Sequence, residues 1–388
     1  MNDIKAIFDI GNDTIKAIVF WKDWDEVRVL AKQSETALWM RKGKIIDAEA
    51  FTNVLNKIIE SFVKKLGGEF IEKVYVGVSH PEIITQRIVE GKRIMNDEVM
   101  VDDLEHLSKI VTDISSMDNY ETIKIVPVAW ILDGKREKDP IWLKCKKLEL
   151  MADVFLIPKN YYNGIIDAFD KIGLEISDII PNILAVSEIV LDCDHKDLGS
   201  ILVDIGKNQT SYVVYEDGYS LWYGVIPVGG ENVTKDIAIG MQVDIKDAED
   251  IKRNIGTAVI DEETSLETSL DIHFLTEIIS ARYEQVFLKI NTYLESLEKD
   301  GRLPGWVFLI GGGAKVKNLP IYSGEVFKIV SNYGKDQILN LWELSSNIQY
   351  LNVLWCYYWS TKYVDESRKW WNFSWVWGKI KEFLKKLF

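Results

Sequence analysis

Two tripeptides carry the first chemical signal in this chain. Asp9-Ile10-Gly11 and Asp204-Ile205-Gly206 each close an apolar run and open a polar turn. A carboxylate at a strand end can hold a divalent cation through water. A glycine beside it lets backbone N–H groups approach phosphate oxygens with no Cβ in the way. Either turn alone reads as an ordinary β-hairpin. Two of them, about half a chain apart, point to a phosphate cleft, together with a glycine run, Gly311-Gly312-Gly313-Ala314, after the apolar stretch 306–310. That run lets backbone pack against a flat ring, although by itself it fits a tight βα turn equally well.

The elements that must position these turns are legible around them. Residues 4–20 read as strand, polar turn and strand. Residues 201–233 hold three β-rich runs, 201–205, 210–215 and 219–225, the last two joined by Asp217-Gly218, a strong hairpin signal. Two such units predict an internal duplication at long period. After the first, 27–30 continues the sheet. Residues 47–64 form a helix with Asp47 as N-cap and Phe51, Val54, Leu55, Ile58, Ile59 and Phe62 at helical spacing, and 73–79 is a buried strand. Residues 81–158 change texture: strand 83–89, helix 102–114 with Leu104, Leu107, Ile110, Val111 and Ile114 inward, then strands 124–132 and 148–156 around a charged loop. This insertion carries no obvious chemistry, so its expected job is contact. Helices follow at 160–172, 181–190, 231–239, 247–254, 275–294 and 346–361. The helix after Gly229-Gly230 should point its N-terminus at the cleft.

Composition sets the bounds. At 388 residues the chain exceeds one ordinary domain, and 47% hydrophobic with 27% charged residues is a globular balance. A net charge of −14 argues against nucleic acid as a partner. Cys145, Cys193 and Cys356 are scattered, which fits neither a disulfide framework nor a zinc site and suits a reducing cytosol. His80, His106, His195 and His273 are equally dispersed. Asp3 and Asp9 interrupt any signal-peptide pattern, and no apolar run approaches about 18 residues, the length of a membrane span.

Taken in order, these features resemble the actin–hexokinase–chaperone ATPase superfamily and, within it, the FtsA family of bacterial cell-division proteins. The resemblance covers essentially the whole chain. The first phosphate motif matches at Asp9-Ile10-Gly11 with Lys16. The second matches at Asp204-Ile205-Gly206 with Thr210 and continues through Ile226-Pro227-Val228-Gly229-Gly230 to Val233-Thr234-Lys235-Asp236-Ile237-Ala238. The adenosine motif matches at Gly311-Gly312-Gly313-Ala314. The inserted segment is the more discriminating match, since Lys138-Asp139-Pro140-Ile141 to Leu148-Glu149-Leu150 looks like its closing hairpin.

The resemblance implies an α/β, actin-like fold: two ribonuclease-H-like halves around a nucleotide cleft, with a small inserted domain. The boundaries would be 1–80 with 159–198 and 333–361 for the first subdomain, 81–158 for the insertion, 199–233 with 304–332 for the second, and 234–303 for its small subdomain. It implies ATP with Mg²⁺, the ion held through water by Asp9 and Asp204. Phosphates would meet Gly11, Asn12, Lys16, Gly206, Lys207 and Thr210, with Gly229 and Gly230 behind them. Gly311, Gly312 and Gly313 would flank the adenosine, and Lys252, Gly256 and Arg282 would line the nucleoside side. Implied partners are the FtsZ C-terminal peptide on the small subdomain, further copies of the chain in filaments, and other division proteins on the insertion. A PilM-like pilus-assembly role is the alternative. A sugar or acetate kinase would need a catalytic carboxylate and a substrate pocket. A heat-shock-type chaperone would need a large C-terminal peptide-binding domain. Two departures matter. Lys207 and Asn208 replace glycines of the second loop, and Ile180-Pro181-Asn182 stands where hydrolysing relatives place an acidic or glutamine residue. Tight binding with slow or no hydrolysis is the expectation.

The end of the chain carries a separate signal. In 368–388, Trp370, Phe373, Val376, Trp377, Ile380, Phe383, Leu384, Leu387 and Phe388 fall on one face of a helix, with Lys379, Lys381, Lys385 and Lys386 on the other side or its margins. A core helix or a partner-binding helix is the plainer reading, but a core helix seldom carries so many lysines near a chain end. A basic, Trp-rich amphipathic helix on an acidic body suits an anionic membrane surface, where each basic residue contributes about 1 kcal/mol. The resembled family ends in such a helix. The join at 362–369 is short, so the body should sit close to the bilayer on its cytoplasmic side, at the division septum. Deleting 370–388 should release the protein from anionic liposomes in a flotation assay. Continued flotation would reject the anchor.

Overall fold

Alternating apolar residues separated by tight polar turns build the first sheet of the computed structural model, which describes residues 3–23, 26–36, 39–41, 44–68, 71, 73–95, 97–260, 271–296 and 305–335. Strands β1 (Asp3–Ile10), β2 (Thr14–Asp23) and β3 (Glu26–Thr36) form an antiparallel meander. A small hairpin, β4 (Met40–Arg41) and β5 (Lys44–Ile45), leads to helix α1 (Ala48–Lys65). Asp47 caps α1, its carboxylate accepting the Ala50 N–H at 2.9 Å. The chain returns as β6 (Lys73–Val78), parallel to β1.

The insertion comprises β7 (Ile84–Arg93), α2 (Val101–Ile114), β8 (Tyr120–Leu132), β9 (Lys135–Glu137) and β10 (Lys147–Pro158), in the sheet order β7-β10-β8-β9. Leu104, Leu107 and Val111 pin α2 onto its own apolar cluster, whereas Ile114, expected inward, is 49% exposed at the helix end. Helix α3 (Lys159–Lys171) and β11 (Glu175–Pro181) complete the first sheet. They are followed by α4 (Asn182–Val190) and α5 (Cys193–Leu198).

The second half repeats the first. Strands β12 (Ser200–Ile205), β13 (Thr210–Glu216) and β14 (Tyr219–Ile226) form a meander. Helices α6 (Gly230–Met241), α7 (Ile245–Asn254) and α8 (Ile272–Ser296) intervene. Then β15 (Val307–Ile310) runs parallel to β12, and after α9 (Leu319–Phe327) the short β16 (Ser331–Tyr333) closes the sheet. The orders β3-β2-β1-β6-β11 and β14-β13-β12-β15-β16 correspond strand for strand, and Asp9 and Asp204 occupy the same place, one residue before the end of the first strand.

Helix α4 joins the halves. Every residue in it except Glu188 is buried, as a helix apolar on all sides must be. It shares a core with Ile7, Ile18 and Phe20 of one sheet and Leu202, Val213 and Phe308 of the other. Strand β11, whose polar and apolar residues are mixed, and helix α5 gave no clear signal in the sequence. Among the described residues no helix is long and apolar enough to cross a membrane. The expected helix 346–361, the join 362–369 and the tail 370–388 lie outside the described residues.

The insertion is tied to the second half by a half-buried arginine. The Arg87 guanidinium grips Asp153 through two bonds of 2.8 Å and also donates to the carbonyls of Ser220 and Leu221 on β14, each at 2.8 Å. Burial works against the Arg87 charge, but the Asp153 bonds and charge outweigh it and raise its pKa. Removing Asp153 leaves the half-buried Arg87 guanidinium without its counter-charge. Asp153→Ala should therefore cost about 3 kcal/mol of stability, read as a lower urea midpoint, and an unchanged midpoint would contradict this account.

Candidate functional site

Asp9 is 2% exposed and lies opposite Lys16 on β2 and Gly77 on β6. Its Oδ2 accepts from Lys16 Nζ at 3.5 Å and its Oδ1 from Asn182 Nδ2 at 2.8 Å; the same Nδ2 donates to Ser79 Oγ at 3.0 Å. Asn182, the first residue of α4, thus fixes the carboxylate against the seam between the halves. The turn beyond it is closed by a Gly11 N–H to Thr14 carbonyl bond of 3.2 Å and carries Asn12 and Asp13.

Asp204 faces Ser211 on β13 and Ile310 on β15. Gly311 follows with φ +89°, and its backbone lies so close to the Asp204 carboxylate that a Cβ could not fit. Gly312 faces the other way, where an added Cβ would meet nothing within 4 Å. Gly313 packs on Ile205, and its carbonyl accepts Tyr283 Oη at 2.6 Å. The glycine run therefore serves the second hairpin on one side and leaves open space on the other.

The second turn is held by a Gly206 N–H to Gln209 carbonyl bond of 2.9 Å. Its own carbonyls are used too: Gly206 O accepts the Gly230 N–H at 2.9 Å and Lys207 O accepts the Glu231 N–H at 2.8 Å. The first N–H groups of α6 thus anchor the loop of the second turn. Gly229 lies against the same loop backbone. Thr210 is likewise spent on the fold, being fully buried and donating to the Val228 carbonyl at 2.8 Å. Lys252 is buried and donates to Gly230 O at 3.0 Å, Thr234 Oγ1 at 2.7 Å and Glu249 Oε2 at 2.6 Å. Gly256, just after α7, lies against the Lys252 carbonyl and Ile279 of α8. Arg282 grips Asp236 of α6 through two bonds and so braces α6 against α8.

Across the mouth, Lys207 Nζ reaches Asp13 Oδ1 at 2.8 Å, so the two hairpin turns meet. Four carboxamide oxygens, those of Asn12, Asn182, Asn208 and Gln209, are buried here without a hydrogen-bond partner among the described residues. Such concentration of unmet acceptors marks a place for ligand or water. Lys16 and Lys207 stand beside it, each paired with a carboxylate. The pKa of Lys315 is lowered by burial and then by the charges of Lys16 and Arg253. Lys315, Asp13 and Gln209 escaped the sequence reading, although Lys315 directly follows the glycine run.

Comparison with known proteins shows what this chain is similar to. The family model described as Cell division protein FtsA matches residues 201–351. The Bacillus subtilis Cell division protein FtsA is 27% identical over 342 residues, covering 84% of this chain and 77% of that protein. The Pseudomonas aeruginosa protein of the same name is 24% identical, covering 84% and 81%. The chain is similar to the FtsA cell-division proteins over most of its length. Solved structures show the same actin-like fold. The PilM–PilN type IV pilus biogenesis complex matches at 15% identity with a TM-score of 0.67, covering 91% of this chain and 97% of its own. MreB5 of Spiroplasma citri bound to AMPPNP matches at 14% and 0.54, covering 94% and 98%. In this chain the actin-like duplication is the pair of matched five-stranded sheets.

The Glu249 site has a pH signature. Burial favours the neutral acid, but bonds from Lys252 and Thr234 and the Lys252 charge outweigh it, bringing the pKa from 4.5 to about 2. A depressed carboxyl stabilises the fold above its unfolded pKa and loses that contribution as pH falls through the folded one. Part of the stability should therefore vanish between pH 4.5 and about 2. Glu249→Gln should flatten that part of an acid-unfolding curve, and an unaltered slope would count against the assignment.

Proposed function

We propose that this chain binds ATP with Mg²⁺ between its two Asp-Ile-Gly turns and, as a membrane-bound polymer, tethers FtsZ filaments to the inner face of the cytoplasmic membrane. The observation that carries the nucleotide reading is the meeting of the two turns at Lys207 and Asp13, around buried carboxamides that lack partners. Asp9 and Asp204 would share the ion through water, and the phosphates would supply its remaining oxygens, in keeping with the water-rich shells of Mg²⁺. Lys207 would exchange Asp13 for phosphate. That ion pair is half exposed and worth about 0–1 kcal/mol, so the exchange is cheap. Lys16 and Lys315 would add charge, and the open side of Gly312 would face the nucleoside. The MreB5 structures of Spiroplasma citri, bound to ADP and to AMPPNP, support a nucleotide in this fold.

The tail 370–388 would supply a weak lipid anchor, which polymerisation multiplies through avidity. The FtsZ C-terminal peptide would dock on the small subdomain, and other division proteins on the insertion. Hydrolysis would be slow, since the Asn182 amide nitrogen is already committed to Asp9 and Ser79. The PilM–PilN fold likeness favours a second reading, capture of a membrane partner's cytoplasmic peptide. The FtsA relatives and the basic tail weigh for the tether. Capture of an FtsZ C-terminal peptide in preference to a pilus-type peptide, with Asp204→Asn weakening Mg·ATP binding about tenfold or more, is the expected result. Preference for the pilus-type peptide would overturn it.

A further inference from the structure

Two tyrosines tie down the glycine run that follows β15. Tyr283 of α8 is 1% exposed, and its hydroxyl donates to the Gly313 carbonyl at 2.6 Å. Tyr333 of β16 donates to the Val316 carbonyl at 3.1 Å. The short 3₁₀ turn Gly312–Lys315 therefore carries one tie within it and one just beyond its end. A buried phenol needs a partner and so does a backbone carbonyl, and the Tyr283 bond satisfies both at once. Burial pushes the pKa of that hydroxyl upward, with the Glu249 charge adding to the shift, so it remains a donor at neutral pH.

The run has little means of holding its own shape. Three glycines in a row have wide conformational freedom and lose it on ordering. Inside the turn the Ala314 N–H reaches the Gly311 carbonyl only at 3.3 Å, a long bond. On the inner side, a Cβ on Gly313 would strike Ile205, and the Gly313 backbone lies against Gly230 of α6. On the outer side, Gly312 leaves open space. Packing thus limits the run from within, and the Tyr283 hydroxyl adds the directed bond that fixes its carbonyl.

We propose that Tyr283, with Tyr333 at the far end, is a positioning residue for a bound nucleoside, holding the glycine run flat so that a base or ribose can lie against it; this rests on the nucleotide reading of the cleft. Buried as it is, Tyr283 acts through the Gly313 carbonyl rather than by touching the ligand. A loop already ordered before binding takes no ordering cost from the affinity. Helix α8 then has two tasks at adjacent residues: Arg282 braces α6, and Tyr283 sets the nucleoside loop.

The test uses the full-length chain. Tyr283→Phe removes the hydroxyl and keeps the ring. Ile290→Val, a fully buried position two turns further along α8, is a core truncation of similar cost to one lost hydrogen bond and serves as the control. Three quantities are read: affinity for a fluorescent ATP analogue with Mg²⁺, hydrogen exchange of the amides at 312–316, and thermal midpoint. Tyr283→Phe should speed exchange over 312–316 and weaken nucleotide binding about fivefold. Ile290→Val should lower the midpoint and bind within about twofold of wild type. Should Tyr283→Phe fail to fold, Tyr333→Phe cuts the tie at the far end and should weaken binding in the same direction. Wild-type affinity in the folded tyrosine variant overturns the positioning role. So does an Ile290→Val variant that loses as much affinity, because the loss would then come from a general loosening of α8. Failure of the wild type to bind nucleotide overturns the nucleotide reading itself, and this inference with it.

Discussion

A carboxylate without solvent must be satisfied by its neighbours, and the arrangement around Asp9 follows from that demand. At 2% exposure it is too costly to leave charged and alone. Lys16 approaches from the adjacent strand and Asn182 from α4, a helix that begins beside the cleft and ends inside the core shared by both sheets. The position of the acid is therefore set by the packing of the two halves, and any displacement of α4 would be felt at the turn. The second acid is enclosed differently, with the Gly311 backbone taking the place a side chain would fill.

Two ion pairs lie where the halves meet, one across the mouth and one within the insertion, and their surroundings give them opposite characters. Lys207 and Asp13 meet in solvent at the mouth, where the contact is weak and exchangeable. Arg87, half-buried, and Asp153, buried, pair on the face of the insertion against β14, where Arg87 also donates to two backbone carbonyls and loss of either partner leaves a poorly solvated charge. One contact suits a cleft that admits an anion; the other holds the inserted domain in a fixed relation to the second half.

Much of this was visible along the chain. The Asp-Ile-Gly repeats, the Asp47 cap, the Asp217-Gly218 hairpin and the periodic faces of α1 and α2 are local patterns, and local patterns survive in sequence. Several roles were not visible. Thr210 and Arg282 carry residue types suited to phosphate, yet Thr210 turns to the Val228 carbonyl and Arg282 to Asp236. Which partner wins is decided by elements far away in the chain. The same holds for the first N–H groups of α6, taken by the carbonyls of Gly206 and Lys207.

The sequence by itself determined the duplicated strand–turn units, the acidic body with its basic, Trp-rich end, and the resemblance to a known family, because those depend on residue type at short spacing. Tertiary structure alone decided that Lys207 meets Asp13 across 194 residues and that Asn182 holds Asp9 across 173. Such pairings depend on how two sheets pack around one buried helix, and no local spacing encodes that packing.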